Sequence, residues 1–518
     1  MASKSLFQSL FGALIPATDA RNSEAAPAYA YPPKHKLAQL AATGCLNGTF
    51  YADDRDQLDT VLALCKEIEP EFIAKTAIYS REEGAMKDMP ALLCAALSVV
   101  APRLLERIFT RVIDNAKMLR NFVQIIRSGV VGRKSLGSLP KRLVRDWLAS
   151  RSDEELFRSS SGNDPSLADI IKMVHPRPAG ASREALYGYL TGRGAAEDAL
   201  PPLVRAYEAF KKDLEGEVPD VPFQLLTSLQ LQKRHWASIA ARAPWQMTRM
   251  NLNTFVRHGV FAEAPQLAGV VADRLRDPEA IARARAFPYQ LLAAYVTADG
   301  GVPAVIRESL QDAMEHAIEN VPAVAGKVYV CCDVSGSMRS PVTGRRKGAT
   351  TAVRCVDVAA LTAAAFVRKN PGAEVLPFEA QVVDLQLNPR DSVMTNATKL
   401  SAVCGGGTNC SAPLARLNTQ RAQGDLVVFV SDNESWVDAR GGRGTATLHE
   451  WARFKDRCPS ARLVCIDVQP NGTTQAVERS DILNVGGFSD AVFQVVAKFA
   501  DGKLDPAHWV GVIETLTL

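Results

Sequence analysis

From Lys36 to about Pro322, apolar residues recur at three- and four-residue spacing, the period of amphipathic helices. The pattern is plain in LDTVLALCKEIEPEFIAKTAIYS, ALLCAALSVVAPRLLERIFTRVI and MLRNFVQIIRSGV. It continues through SLPKRLVRDWLAS, SLADIIKMV, REALYGYL, PPLVRAYEAFKKDL and VPFQLLTSLQL. Polar breaks carrying Gly, Pro, Asp or Ser, such as PRPAGAS and EGEVPDVP, separate them. Many such helices with short turns and no strict internal repeat fit either stacked, divergent helical hairpins or a compact helical domain. From Gly326 the period changes. VYVCCDV, AEVLPFEA, QVVDLQL, DLVVFVSD and RLVCIDVQ are strand-like runs. They alternate with the helical segments AVRCVDVAALTAAAFVRKN, APLARLNTQRAQ, TLHEWARFKDR and DAVFQVVAKFADG. Strands alternating with helices predict a parallel, doubly wound sheet covered on both faces. The expected class is therefore α + α/β, with a helical region over 31–325, an α/β domain over 326–518, and a flexible lead-in over 1–30.

Composition adds limits. A chain of 518 residues exceeds what one core usually serves. Its net charge of only +4 means that any basic binding surface must be local. The ten cysteines lack secreted-type spacing and mostly lie in apolar runs, which points to a reduced, cytoplasmic protein. No apolar stretch reaches the length of a membrane helix, and residues 5–17 make a poor signal peptide, better read as an amphipathic segment or loose tail.

Candidate chemistry begins where the first strand-like run ends, at Asp333-Val334-Ser335-Gly336-Ser337. Open α/β sheets bind ligands at the carboxyl ends of their strands. One carboxylate and two hydroxyls there suit a hard cation such as Mg²⁺. Two further loops add to the set: Cys404-Gly405-Gly406-Gly407-Thr408-Asn409, and the end of the run Leu426–Val430, which continues Ser431-Asp432. Together these residues resemble the metal-ion-dependent adhesion site of von Willebrand factor A domains. The resemblance implies that Asp333, Ser335, Ser337 and Thr408 ligate Mg²⁺ directly or through water, and Asp432 through water. It also implies that a partner's acidic group can complete the octahedron. No histidine falls within these motifs to serve as a base, so a hydrolytic role is not expected.

The helical half carries a local basic cluster. Residues 117–151 hold Lys117, Arg120, Arg127, Arg133, Lys134, Lys141, Arg142, Arg145 and Arg151 against Asp146. Arg133 and Lys134 sit in a glycine-punctuated turn before a helix start, a place suited to phosphate oxygens. Lys141 and Arg145 share a helix face by their spacing, with Arg142 beside them. Such a cluster is equally the ordinary makeup of a solvated face. Further on, LADIIKMVHPRP stops a helix at His175, flanked by Lys172 and Arg177. His175 suits a helix C-terminus, and it also suits contact with an unpaired base.

The RSG..GR..LG stretch, LADIIKMVHPRP, PWQMTRMNLNTF, FPYQLLAAY and the junction NVPAVAGKVYVCCDVSGSM together resemble the TROVE module and A domain of the Ro autoantigen family, its bacterial members most closely. The resemblance spans roughly residues 30–518. It implies a ring of HEAT-like repeats closed by the A domain, with no catalysis of its own. It also implies binding of small noncoding Y-type RNAs on an outer basic surface and of single-stranded ends of misfolded RNA in a central hole. The role implied is RNA quality control, in some bacteria by tethering a 3′-to-5′ exoribonuclease. On this resemblance the RNA-binding candidates are Arg133, Lys134, Lys141, Arg142, Arg145, His175 and Arg177, in a monomeric protein. The other reading is a scaffold whose Mg²⁺ site grips an acidic residue of a protein partner.

Overall fold

A computed structural model describes residues 15–44, 46–284, 288–319, 321, 323–345, 353–439, 443–504 and 508–518. Most of the 5–17 segment thus lies outside the described residues. The chain forms two compact units, one from 65–286, 294–313 and 517–518, the other from 1–64, 287–293 and 314–516.

The first unit is helical throughout, and its boundaries follow local chemistry. Proline opens the helices Pro70–Glu82, Pro102–Val112 and Pro202–Lys212, where its missing N–H costs nothing. Asn115 caps the helix Ala116–Ser128, and reciprocal Ser–acid capping boxes start Asp153–Arg158 and Leu167–Val174. Gly129 and Gly192 end helices in the left-handed conformation. Consecutive helices bury their apolar faces on one another, as where Phe109 meets Phe122 edge-on at 5.2 Å. The arrangement is that of helical repeats. VPFQLLTSLQL is helical only over Phe223–Leu226, because Thr227 turns its hydroxyl back onto the Gln224 carbonyl and ends the turn.

The second unit is built on a five-stranded parallel sheet. Its strands are β3 (Val328–Cys332), β4 (Glu374–Val375), β5 (Leu426–Ser431), β6 (Arg462–Asp467) and β8 (Ile482–Gly486), in the order β4-β3-β5-β6-β8. Every residue of β3, β5 and β8 is buried, as expected of strands covered on both faces. The Ala-rich helix Cys355–Lys369 packs closely on β3 and β5. Two elements depart from the sequence expectation. QVVDLQL forms no strand, since Val382 folds back in an isolated antiparallel bridge to Phe378. Conversely, β8 hides a strand behind Asn484, whose buried amide is satisfied by donating to Ala476 O and accepting from Thr474 Oγ1.

Residues 18–30 also differ from the flexible lead-in expected of them. They form β1 (Ala20–Arg21) and β2 (Pro27–Ala30), and β2 pairs antiparallel with β7 (Thr473–Thr474). The composition is polar, but Tyr29 enters the A-domain core and anchors the strand. The helix Pro33–Thr43 packs against β8 in this same unit. Gly486 makes room for it, because a Cβ there would lie 1.8 Å from Gln39 Oε1.

Candidate functional site

Strand register creates the first candidate site. Cys332 of β3 pairs with Val430 of β5, and the Asp333 N–H still reaches Val430 O at 3.0 Å. Asp333 therefore stands level with Ser431, whose hydroxyl donates to Asp333 Oδ2 at 2.5 Å. The next residue, Asp432, enters the same crevice. Asp333 Oδ1 accepts the Ser335 N–H at 2.8 Å, which curls the loop so that the Ser335 and Ser337 hydroxyls meet at 3.2 Å. The glycine-rich loop is pulled in by Gly336 N–H to Gly406 O at 3.0 Å and Gly405 N–H to Val334 O at 2.7 Å. Gly406 has φ +68°, a left-handed backbone that favours glycine, and Glu379 Oε2 occupies the place a Cβ would take. Thr408 is fixed in turn, its carbonyl accepting from Trp436 N at 3.0 Å and Val437 N at 3.2 Å.

All five residues are thus brought together and buried. Burial raises the carboxyl pKa of Asp333, and that of Asp432 is raised further by burial and by the charge of Asp333. Asp432 Oδ2 is fully enclosed and has no hydrogen-bond partner among the described residues. Two mutually repelling carboxylates, three hydroxyls and one orphaned oxygen form an oxygen-rich donor set that fits a hard divalent cation. A bound cation would neutralise the pair and supply an electrophilic point for an acidic ligand. Outside such hydroxyl-containing sets, the described residues contain no cluster of three His, Cys, Asp or Glu able to hold a metal.

Sequence reasoning missed the supports that come from the first 51 residues. Glu434 accepts from Ser23 N at 2.7 Å and Ser23 Oγ at 3.2 Å, and burial lifts its carboxyl to about 7. Asn22 Nδ2 donates to Ser435 O at 2.7 Å. The Tyr51 hydroxyl interacts with that of Ser337, and burial raises its pKa. No local motif in a Tyr, Ser or Asn of an N-terminal stretch announces such a role.

The basic candidates are less uniform. Arg133 spends its guanidinium on its own turn, donating to Leu136 O at 2.6 Å, Ser135 O at 2.9 Å and Ser98 O at 3.2 Å. Lys134 lays its stem over Gly129. On the helix Ser138–Ala149, Arg142 pairs with Glu106 at 2.6 Å, Lys141 is half-buried, and Arg145 donates to Val174 O, the residue before His175. His175 itself caps Leu167–Val174 in the left-handed conformation, with φ 48°, and is exposed, as is Arg177. Beside it opens a pocket of about 560 Å³ lined by Lys172, His175, Tyr187, Arg193 and the acid Glu184. The pocket's back wall is tight, since a Cβ on Gly188 would lie 2.6 Å from Gly194 O. The structure thus gathers Arg145, Lys172, His175 and Arg193 about one helix end, while Arg133 is turned inward.

A helical-repeat region followed by a von Willebrand factor A-type domain defines the class of this protein. Residues 327–500 match the family described as the Ro60 vWA domain. The chain is 25% identical to RNA-binding protein RO60 of Deinococcus radiodurans, across 93% of this chain and 96% of that protein. It is 24% identical to RNA-binding protein RO60 of Caenorhabditis elegans, across 45% of this chain and 37% of that one. The crystal structure of the Deinococcus radiodurans Ro (Rsr) protein shares the fold, with a TM-score of 0.62 at 21% identity, covering 91% of this chain and all of the other. Over nearly its whole length the chain is thus similar to a Ro protein, and its A-type domain matches the Ro60 vWA model.

Proposed function

We propose that this chain is an RNA-binding protein whose helical unit holds the nucleic acid. The observation that carries the reading is the cationic helix end: Lys172, His175 and Arg193 line one pocket, and Arg145 is held on the Val174 carbonyl at the same helix end, so that three permanent cations gather there. Cations beside a pocket suit phosphate oxygens, and the exposed imidazole offers a face to an unpaired base. The names of the curated relatives support the same reading. The finer form is a non-catalytic scaffold for small noncoding Y-type RNAs and for single-stranded ends of misfolded RNA, linked through the RNA to a 3′-to-5′ exoribonuclease. Arg133, Lys134, Lys141, Arg142 and Arg177 extend the same surface; among them Arg133, held by its own turn, contributes least. Fluorescence anisotropy with a labelled small RNA tests the placement. Affinity should fall steeply with salt, because each neutralised phosphate releases counterions. Affinity that ignores both salt and reversal of Lys141 and Arg145 would remove the site from this face.

A second activity rests on a separate observation, the orphaned Asp432 Oδ2 among two carboxylates and three hydroxyls. On this reading Asp333, Ser335, Ser337, Thr408 and Asp432 hold Mg²⁺, and the A domain binds an acidic group of a partner. Calorimetric titration of Mg²⁺ or Mn²⁺ into the full chain, with Asp333→Ala as the control, checks it.

A further inference from the structure

The A-domain unit holds a second cavity, of about 840 Å³, and none of the five metal-site donors lines it. Its size falls in the range of small-molecule sites. Small residues, Ala412, Ala415, Gly444 and Ala446 among them, leave room there for a flat ring. The helices Ala412–Thr419 and Ala446–Arg457 both begin in its wall and add partial positive charge. Two arginines line it as well. Arg416 pairs with Asp384 at 2.6 Å, but that acid is 84% exposed, so the pair is weak and a bound anion can compete for the guanidinium. Arg443 is exposed and holds His449 through its backbone, its carbonyl accepting from Nε2 at 2.6 Å, so its guanidinium is not spent there. Of the two acids in the lining, Glu450 is committed, accepting from Asn418 Nδ2 at 2.6 Å and from Arg453 Nη1 at 2.9 Å. Asp438 is not. Its Oδ1 accepts from Ser435 Oγ at 2.7 Å, while Oδ2 is enclosed and has no hydrogen-bond partner among the described residues. An enclosed oxygen without a donor costs stability until a ligand supplies one.

We propose that this cavity binds a nucleoside phosphate. The phosphate would lie on Arg416 and Arg443, the base would rest against the alanines, and a base N–H would donate to Asp438 Oδ2. Each feature of the lining excludes a simpler ligand. A bare anion would satisfy the arginines and leave Asp438 without a donor. A cation would satisfy Asp438 and meet two arginines. An apolar ring alone would leave both unanswered. A phosphate ester that carries a flat ring with N–H donors meets all three demands, because guanidinium groups bind phosphate oxygens and a carboxylate oxygen accepts N–H. Every residue of the lining belongs to the A-domain unit, so the assignment depends neither on the metal nor on the cations of the helical unit. A free mononucleotide and the phosphorylated end of a strand present the same chemistry.

Equilibrium dialysis of the full chain against AMP, GMP, CMP and UMP, with ribose 5-phosphate and inorganic phosphate alongside, tests the assignment. At least one mononucleotide should bind saturably with a Kd below about 1 mM, within the range in which proteins meet metabolites. Ribose 5-phosphate should bind about tenfold more weakly, because it lacks the hydrogen bond to a charged acceptor. Asp438→Ala should erase that preference. Arg416→Ala and Arg443→Ala should each weaken the nucleotide about tenfold. Arg443 is exposed, so its variant decides the matter should Arg416→Ala lower the melting temperature. Asp333→Ala and the combined Lys141→Glu and Arg145→Glu variant should bind the nucleotide as the wild type does. No saturable binding, binding indifferent to Arg443→Ala, or inorganic phosphate bound as tightly as every nucleotide would each overturn the proposal. Nucleotide affinity lost with Lys141 and Arg145 would also overturn it, since the ligand would then sit on the helical unit. A 5′-phosphorylated trinucleotide that displaces the mononucleotide, and is weakened by Arg443→Ala, would name a strand end as the source; one that does not displace it would name the free nucleotide.

Discussion

The two candidate sites differ in how they are held. In the A domain each donor is positioned by backbone: Asp333 by the β3–β5 register, Ser335 by its N–H on that carboxylate, Thr408 by two N–H groups on its carbonyl. On the helical unit the cations stand on long stems, with Arg133 and Arg145 held by carbonyls and Arg142 by the exposed Glu106. The first arrangement is preorganised and should respond sharply to single changes. The second spreads its effect over many weak interactions and should respond in proportion to charge. If the comparison is right, mutations in one unit leave the other's ligand untouched.

The largest expected effect is at Asp333. Removing a directly placed carboxylate should cost divalent-metal affinity on the order of 100-fold, at or beyond the upper end of what losing a supporting partner costs. RNA affinity of Asp333→Ala should equal that of the wild type in the same buffer. A parallel loss of RNA binding would break the comparison outright, because it would make the metal part of the RNA site.

Next comes Lys141→Glu combined with Arg145→Glu, expected to lower small-RNA affinity roughly 10- to 100-fold near physiological salt. The slope of log affinity against log salt should become shallower by about 0.7–0.9 for each phosphate that the variant no longer neutralises. Metal titration of the same variant should be unchanged. An unaltered slope would mean that these side chains belong to a solvated face and that RNA lies elsewhere.

How much of this was legible in the sequence divides along the same line. The placement of Asp333, Thr408 and Asp432 at one edge of the A-domain sheet was readable, because strand ends and glycine loops are local signals and each residue follows one. The strand order was not readable, nor was β8, because Asn484 breaks the apolar run and its satisfaction depends on Thr474 and Ala476. The N-terminal residues were misjudged for a related reason. A polar, Ala- and Pro-rich stretch lacks a core of its own, and only the partner surfaces β7 and β8 give Tyr29 and Gln39 somewhere to be buried. In the helical unit the sequence showed where positive charge was concentrated. It did not show that Arg133 is consumed by three carbonyls, which requires knowing how its turn closes.

Smaller effects probe the preorganisation itself. Gly406→Ala combines a left-handed backbone with a clash against Glu379, and should destabilise the A-domain unit by about 1–2 kcal/mol in chemical denaturation. Buried titrating groups around the helix Pro33–Thr43 give a pH signature. Burial lifts Asp467 to about 8, although Tyr31 and Gln39 donate to it, and lifts Glu478 to about 7, while burial lowers His35 to about 3. The two acids hold protons when folded that they release when unfolded, so their contribution is present at low pH and lost as pH rises through those values. His35 acts oppositely, its contribution being complete above its ordinary 6.5 and lost as pH falls below it. Two acids outweigh one histidine, so the melting temperature should fall from about pH 4.5, most steeply between 6.5 and 7 once His35 no longer opposes, and level off above about 8. Asp467→Asn, which keeps an acceptor but cannot ionise, should flatten that fall; a fall left intact would assign it to another group.

The smallest effect is the control for the RNA experiments. Arg142 and Glu106 pair at 2.6 Å, but their side chains are 55% and 44% exposed, so solvent screens most of the attraction. Arg142→Ala should therefore change stability by less than about 1 kcal/mol. Any drop in RNA affinity in that variant then reports direct engagement of RNA and not damage to the fold. The size of that drop, set against the Lys141 and Arg145 pair, shows whether the cationic surface extends along the helix Ser138–Ala149 or ends at His175.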